Sequence, residues 1–160
     1  SDWSSDVCSS DLIYLLAAFI LLIILYFLPF ADFKVEEAFF SLETSGIRDF
    51  DVKGYGFELA WFPVIFQWMI PLAAFLIFVS IFYYKNRKLQ MTLCKVNMFL
   101  LFLLFASIVF YIYQLKIYFE ADVRLKIALI IPLIAIVLVG LAHRNIKKDE
   151  NLVKSYDRIR

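Results

Sequence analysis

The chain has 160 residues, of which 63% are apolar and 19% charged, with a formal net charge of +1 and a mean hydropathy of +0.80. A soluble domain usually has about half apolar and about a quarter charged residues, and small soluble folds leave much of their surface in water. The composition therefore excludes an ordinary soluble domain and predicts an all-α polytopic membrane protein.

Residues 1–12 differ in character from the rest of the chain. They are rich in Ser and Asp and join an apolar run abruptly at Ile13. They carry acids where a signal peptide has a basic segment, and they resemble the in-frame translation of a common sequencing-library adapter. We therefore expect residues 1–12 to be non-native read-through and residues 13–160 to form one membrane domain. On this interpretation Cys94 is the only native cysteine, so no internal disulfide is possible.

Four apolar segments predict a bundle of four transmembrane helices. A transmembrane helix needs about 20 predominantly apolar residues at roughly 1.5 Å each. Pro29 lies at the outer end of the first segment, whereas Pro71 should kink the second and Pro132 is the irregular point of the fourth. Neighbouring helices can satisfy the backbone groups that a proline frees. The predicted spans are residues 13–30, 62–84, 96–115 and 125–142.

The loop at residues 31–61 is acidic and shows the two-residue periodicity of β-strands. Apolar and polar residues alternate on both sides of a Ser-Gly turn at residues 44–46, which predicts a small antiparallel hairpin or sheet. Since an isolated hairpin is marginal in water, we expect it to rest on the outer end of the bundle or on a partner. The alternating apolar residues are Ala38, Phe40 and Leu42 before the turn and Phe50 and Val52 after it.

Basic residues between the apolar segments predict the orientation. The connector at residues 83–90 carries Lys85, Arg87 and Lys88 and no acid. Cytoplasmic loops of membrane proteins are enriched in Lys and Arg, so these three residues should set the topology. The prediction places both termini in the cytoplasm and the loop at 31–61 outside. The three cations of the connector at 116–126 oppose this orientation, because they would lie on the outer side.

The tail at residues 143–160 has the apolar spacing of an amphipathic helix, and Glu150 and Lys154 can pair within it. We expect a cytoplasmic C-terminal helix that lies on the membrane surface or against the basic connector. Its charged residues form either a docking surface for another protein or an anchor at the lipid surface, and the sequence does not choose between the two. The docking residues would be Lys148, Asp149, Glu150, Asp157 and Arg158.

Residues for catalysis or cofactor binding are scarce in this sequence. His143 is the only histidine, and one His with one native Cys makes neither a metal site nor a nucleophile pair. No Gly-rich phosphate loop and no calcium-loop spacing occurs. No predicted span carries an ionisable residue at its centre, the usual marker of a proton relay. We therefore expect no enzymatic activity, no cofactor, no metal and no nucleic-acid partner. Membrane lipids, and a membrane protein or a second copy of this chain, are the expected partners.

Two functions remain open on these grounds. The preferred one is a non-enzymatic accessory or scaffold subunit in the membrane. The alternative is a small oligomeric transporter or channel whose pore is lined by polar groups such as Gln67, Asn97 and Ser107. Hydrogen bonding between helices is the more common role of such residues.

The tail also carries a family signature. It begins with basic residues, continues as Ile146-x-Lys148-Asp149-Glu150, and ends as Leu152-Val153-x-Ser155-x-Asp157-Arg158-x-Arg160. This pattern, with the four apolar segments and Leu28-Pro29, resembles the family catalogued as domain of unknown function 4293, found in Bacteroidetes. The similarity covers about residues 13–160. It implies a location in the bacterial inner membrane and assigns no mechanism.

Overall fold

The computed structural model describes residues 2–49, 54, 56 and 58–159. Within them, four helices pack in a ring in which each contacts the next and α1 also contacts α4. We call the end where α1 and α3 begin the connector end, and the opposite end the sheet end. The helices are α1 (Asp2–Phe27), α2 (Pro63–Phe82), α3 (Arg87–Phe119) and α4 (Ile131–Ile159).

Each helix buries one apolar stripe and exposes the rest of its apolar surface. In α4 the buried residues are Ala135, Val139 and Ala142, spaced three or four apart as one helix face requires. In the three long apolar helices only 28%, 28% and 33% of the most apolar window is buried inside the protein. Large side chains such as Trp68 and Phe75 face outward. Exposed apolar surface on this scale needs lipid around it, so the chain is a multi-pass membrane protein.

The predicted first span was too long, because α1 ends at Phe27. Pro29 disfavours helical backbone at the residue before it. Phe30 is already paired with strands: its N–H donates to the Leu42 carbonyl at 2.8 Å, and its carbonyl accepts from the Lys126 N–H at 3.1 Å. Among the described residues, α2, α3 and α4 are long and apolar enough to cross a membrane, whereas the apolar part of α1, Asp11–Phe27, is shorter.

Helices α3 and α4 are longer than the predicted spans, because charge ends an apolar run without ending a helix. The side-chain oxygen of Asn86 accepts from the Leu89 N–H at 3.3 Å and caps α3 at Arg87. The following Lys, Leu, Gln and Met residues favour helix. At the other end of the chain, α4 continues through the tail, which is therefore not a separate helix. Pro132 lies in the first turn of α4, where the missing N–H costs little, so it is not an internal irregularity.

A four-stranded antiparallel sheet covers the sheet end. Its strands lie in the order β3-β2-β1-β4, so β1 pairs with both β2 and β4. The last strand comes from the connector between α3 and α4, and this joins the two loops of the sheet end into one layer. The strands are β1 (Ala31–Val35), β2 (Ala38–Glu43), β3 (Gly46–Arg48) and β4 (Asp122–Leu125).

The predicted hairpin is confirmed in part. Strands β2 and β3 pair across a tight turn in which Glu43 faces Gly46, and Gly46 has a φ of 133° that favours glycine. However, β3 ends at Arg48, and the predicted strand residues Phe50 and Val52 lie outside the described residues. The sheet has two strands, β1 and β4, that the sequence did not predict.

The inner face of the sheet rests on the bundle, as expected for a hairpin that could not stand alone. Phe33 and Phe40 face each other across β1 and β2, and their stacked rings have centroids 5.0 Å apart. The Phe40 ring also meets Phe119, at the end of α3, with centroids 6.1 Å apart. Below them Phe62 stacks on Tyr111 at 5.2 Å. This aromatic layer fixes the sheet to the helices.

Candidate functional site

The connector between α2 and α3 is held by a buried glutamine. The Gln90 side chain is 3% exposed, and its Nε2 donates to the Ser80 carbonyl at 3.1 Å. Ser80 lies in the last turn of α2, where carbonyls have no partner within the helix. Gln90 therefore ties the start of α3 to the end of α2. Lys85 and Lys88 remain exposed, whereas Arg87 is half-buried.

Two carboxylates from α1 and α4 meet Arg87 at this end. Burial raises the pKa of Asp149, and the charges of Arg87 and Lys148 oppose the rise. Burial also raises the pKa of Asp11 to about 7, and the nearby Asp149 charge raises it further, against a hydrogen bond from Asn145 and the charge of Arg87. Asp11 lies just before the apolar part of α1, in the segment that we expect to be non-native, whereas Asp149 lies about two turns beyond the apolar run of α4. We call Asp11, Arg87, Gln90, Asn145 and Asp149 the connector-end cluster.

The connector-end cluster surrounds a cavity of about 10 Å³. Its walls include Asp11, Tyr84, Arg87 and Asp149. This volume is close to the minimum that holds one water molecule, and it has no room for an organic substrate. The cluster is a place where polar side chains of α1, α3 and α4 come together.

The structure places two side chains of the expected docking surface. Lys148 is exposed, whereas Asp149 is 9% exposed and turns inward towards Arg87. Asp149 faces inward because it continues the buried stripe of Val139, Ala142 and Ile146, at intervals of three and four residues. The tail therefore lies against the connector at least as far as Asp149. The side chains of Glu150, Asp157 and Arg158 lie outside the described residues.

Sequence reasoning missed Gln90 and Asn145. A signal for Asn145 was present, because it lies four residues before Asp149 and so shares its helix face. Gln90 likewise follows Arg87 by three residues on α3. Extending the buried stripes beyond the apolar runs would have pointed to both side chains.

The comparison with family models identifies the chain. The model described as Domain of unknown function (DUF4293) matches residues 12–159, including the tail that carries the signature. The chain belongs to the DUF4293 family. No curated protein matches it at a significant level.

Polar residues in the spans of this DUF4293 protein do not line a common path. Gln67 is exposed on the outer surface of α2. Asn97 is buried, with neither of its side-chain polar atoms hydrogen-bonded to a described residue, while the Ser107 hydroxyl donates to the Leu103 carbonyl of its own helix at 2.7 Å. The structure does not bring the three suggested pore residues together.

An apolar groove of the DUF4293 protein opens outward between α1 and α2. It has a volume of about 450 Å³, and Phe19, Ile70, Pro71 and Ala74 contribute to its walls. Its walls are aliphatic and aromatic, and Tyr26 contributes a phenol to them. Among the described residues, no three His, Cys, Asp or Glu side chains come close enough to hold a metal ion.

Proposed function

We propose that this DUF4293 protein is a non-enzymatic accessory or scaffold subunit of the bacterial inner membrane, which binds a membrane-protein partner through the tail of α4. The observation that supports it most is the length of α4. Asp149 lies level with Arg87, where α3 begins, yet α4 continues to Ile159. At roughly 1.5 Å per residue this is about 15 Å of charged helix beyond the start of α3.

The exposed side chains of the tail favour docking over a purely structural role. Leu152 is 52% exposed, and Lys148 is exposed one turn before it. In the proposed contact, Leu152 is the apolar centre and Lys148 belongs to its polar rim. Inside the bundle, the buried side chains are mostly apolar and serve packing. No specific observation favours the transporter or channel, because its suggested residues lie on different faces.

We expect the tail variant Lys148→Glu with Leu152→Ser to lose its partner. Purified from native membranes under mild detergent, the parent should retain a partner at constant stoichiometry, and the variant should retain at least about fivefold less. Arg144→Glu is the matched control, because it reverses an exposed cation of α4 that lies outside the proposed docking residues. A second copy of this chain as the retained partner would make the tail a homo-oligomer contact. An unchanged set of co-purifying proteins in the tail variant would exclude docking.

The proposed orientation places the connector end in the cytoplasm and the sheet outside. It is supported by the exposed Lys85 and Lys88, because cations are enriched on the cytoplasmic side. Cys94 is 1% exposed, so it should not react when the chain is labelled. With Cys8 replaced by Ser, Glu37→Cys should react with a membrane-impermeant maleimide in intact spheroplasts, and Ser155→Cys only after lysis. Labelling of Ser155→Cys in intact spheroplasts would show that the orientation is opposite to the proposed one.

A further inference from the structure

Three basic side chains meet between α3 and α4 at the connector end. The charges of the Lys95 and Lys147 ammonium groups both act on the His143 imidazole. Both lysines are exposed, and the Nε2 atom of His143 is buried without a hydrogen-bond partner among the described residues. We call Lys95, His143 and Lys147 the basic site. Among the described side chains, neither lysine forms an ion pair. Two cations beside an imidazole form a binding place for an anion.

The basic site lies at the level where hydrocarbon gives way to headgroups. Lys95 directly precedes the apolar run of α3, and His143 directly follows the apolar run of α4. One turn deeper the two helices are in close contact, because the Cβ position of Gly140 is 3.5 Å from the Met98 Sδ. This approach brings Lys95 and His143 to the same side of the α3–α4 seam.

Apolar surface continues from the basic site towards the membrane centre. Val96 and Phe99 of α3 are 48% and 64% exposed, and Phe99 lies one turn from Lys95 on the same face. A free anion would use the charges alone, whereas a lipid would use both the charges and this surface. The occupant that matches both features has a phosphate and acyl chains.

We propose that Lys95, His143 and Lys147 bind the phosphate headgroup of an anionic phospholipid whose acyl chains lie against α3. Basic pockets between transmembrane helices at the headgroup level are suited to such lipids. The proposal needs only that the helices cross the membrane, and it does not depend on the tail binding a partner.

Native mass spectrometry of the full chain released from nanodiscs tests the proposal. The nanodiscs contain phosphatidylglycerol and phosphatidylcholine in equal amounts, and phosphatidylglycerol should be retained preferentially. Lys95→Gln with Lys147→Gln should weaken its retention by roughly thirtyfold, at about fivefold per lysine. The matched control, Arg144→Gln with Lys148→Gln, removes two exposed cations of α4 that lie one residue along from His143 and Lys147, and it should change retention less than about twofold. The proposal would be wrong if both double variants lost phosphatidylglycerol retention equally, or if the parent retained both lipids equally.

Two further measurements distinguish lipid binding from binding of a free anion, and loss of the site from a folding defect. Inorganic phosphate, titrated into lipid-free protein in a non-ionic detergent, should give no saturable binding. Saturable binding that Lys95→Gln with Lys147→Gln abolishes would make the occupant a free phosphate. Lys95→Arg with Lys147→Arg should keep the lipid. If the glutamine pair fails to fold, Lys147→Gln alone should lower phosphatidylglycerol retention about fivefold, and unchanged retention would refute the proposal.

Discussion

Replacing Phe40 by Ala should lower the free energy of unfolding by about 3–5 kcal/mol, the usual cost of truncating a buried aromatic side chain. Phe40 is 3% exposed, stacks on Phe33 at 5.0 Å and meets Phe119 at 6.1 Å. The substitution removes the ring that joins β1, β2 and the end of α3. Neither a strand nor a helix can shift to fill the space without breaking the pairing of β1 with β4.

The adjacent residue supplies the control. Phe39 lies on the opposite face of β2, is 67% exposed and has the Lys34 ammonium 5.4 Å from its ring centroid. Phe39→Ala should therefore change stability by about 0.5 kcal/mol or less. Reversible unfolding of the purified protein in mixed micelles, followed by tryptophan fluorescence, measures both variants. Equal effects of the two substitutions would mean that the sheet does not pack on the bundle.

The contrast between Phe39 and Phe40 also shows how far the sequence predicted the sheet. Alternation identified β2 and the tight turn after it, because both signals lie within a few neighbouring residues. In β1 the same alternation is present, with Ala31 and Phe33 inward and Asp32 and Lys34 between them, yet it is short and charged. Strand β4 has four residues, and its partner β1 lies about ninety residues earlier. Pairing over such a distance has no local signal.

At the connector end, the sequence predicted where the apolar helices break but not which side chains of different helices lie close together. The basic residues correctly marked a break between two apolar helices, but α3 already begins at Arg87. Asp149 was expected on a docking surface because charged residues are usually solvated. Its inward position depends on a cation from a helix that begins about sixty residues earlier. Extending the buried stripe of α4 beyond Ala142 would have given the direction of Asp149, whereas only the tertiary structure supplied its partner.

Replacing Arg87 by Gln should lower the free energy of unfolding by about 1–2 kcal/mol at pH 8, because it removes the larger of the two cationic charges that favour the Asp149 carboxylate. The loss should shrink towards pH 5. The pKa of Asp149 is raised in the folded protein, and without Arg87 it should rise further. An acid whose pKa is higher in the folded than in the unfolded state holds its proton more tightly when folded. Its contribution to stability therefore falls as the pH rises from about 4 through the folded pKa.

Asp149 and Lys88 provide the tests of this explanation. Lys88→Gln removes the next cation along the chain, which is exposed, and should change stability by about 0.5 kcal/mol or less at either pH. Adding Asp149→Asn to Arg87→Gln should restore most of the stability at pH 8, because the uncompensated charge is then absent. Asp149 is the better choice than Asp11 for this cycle, because Asp11 lies in the segment that we expect to be non-native. A deficit that is independent of pH, or that Asp149→Asn does not relieve, would show that Arg87 stabilises the fold by packing and not by its charge.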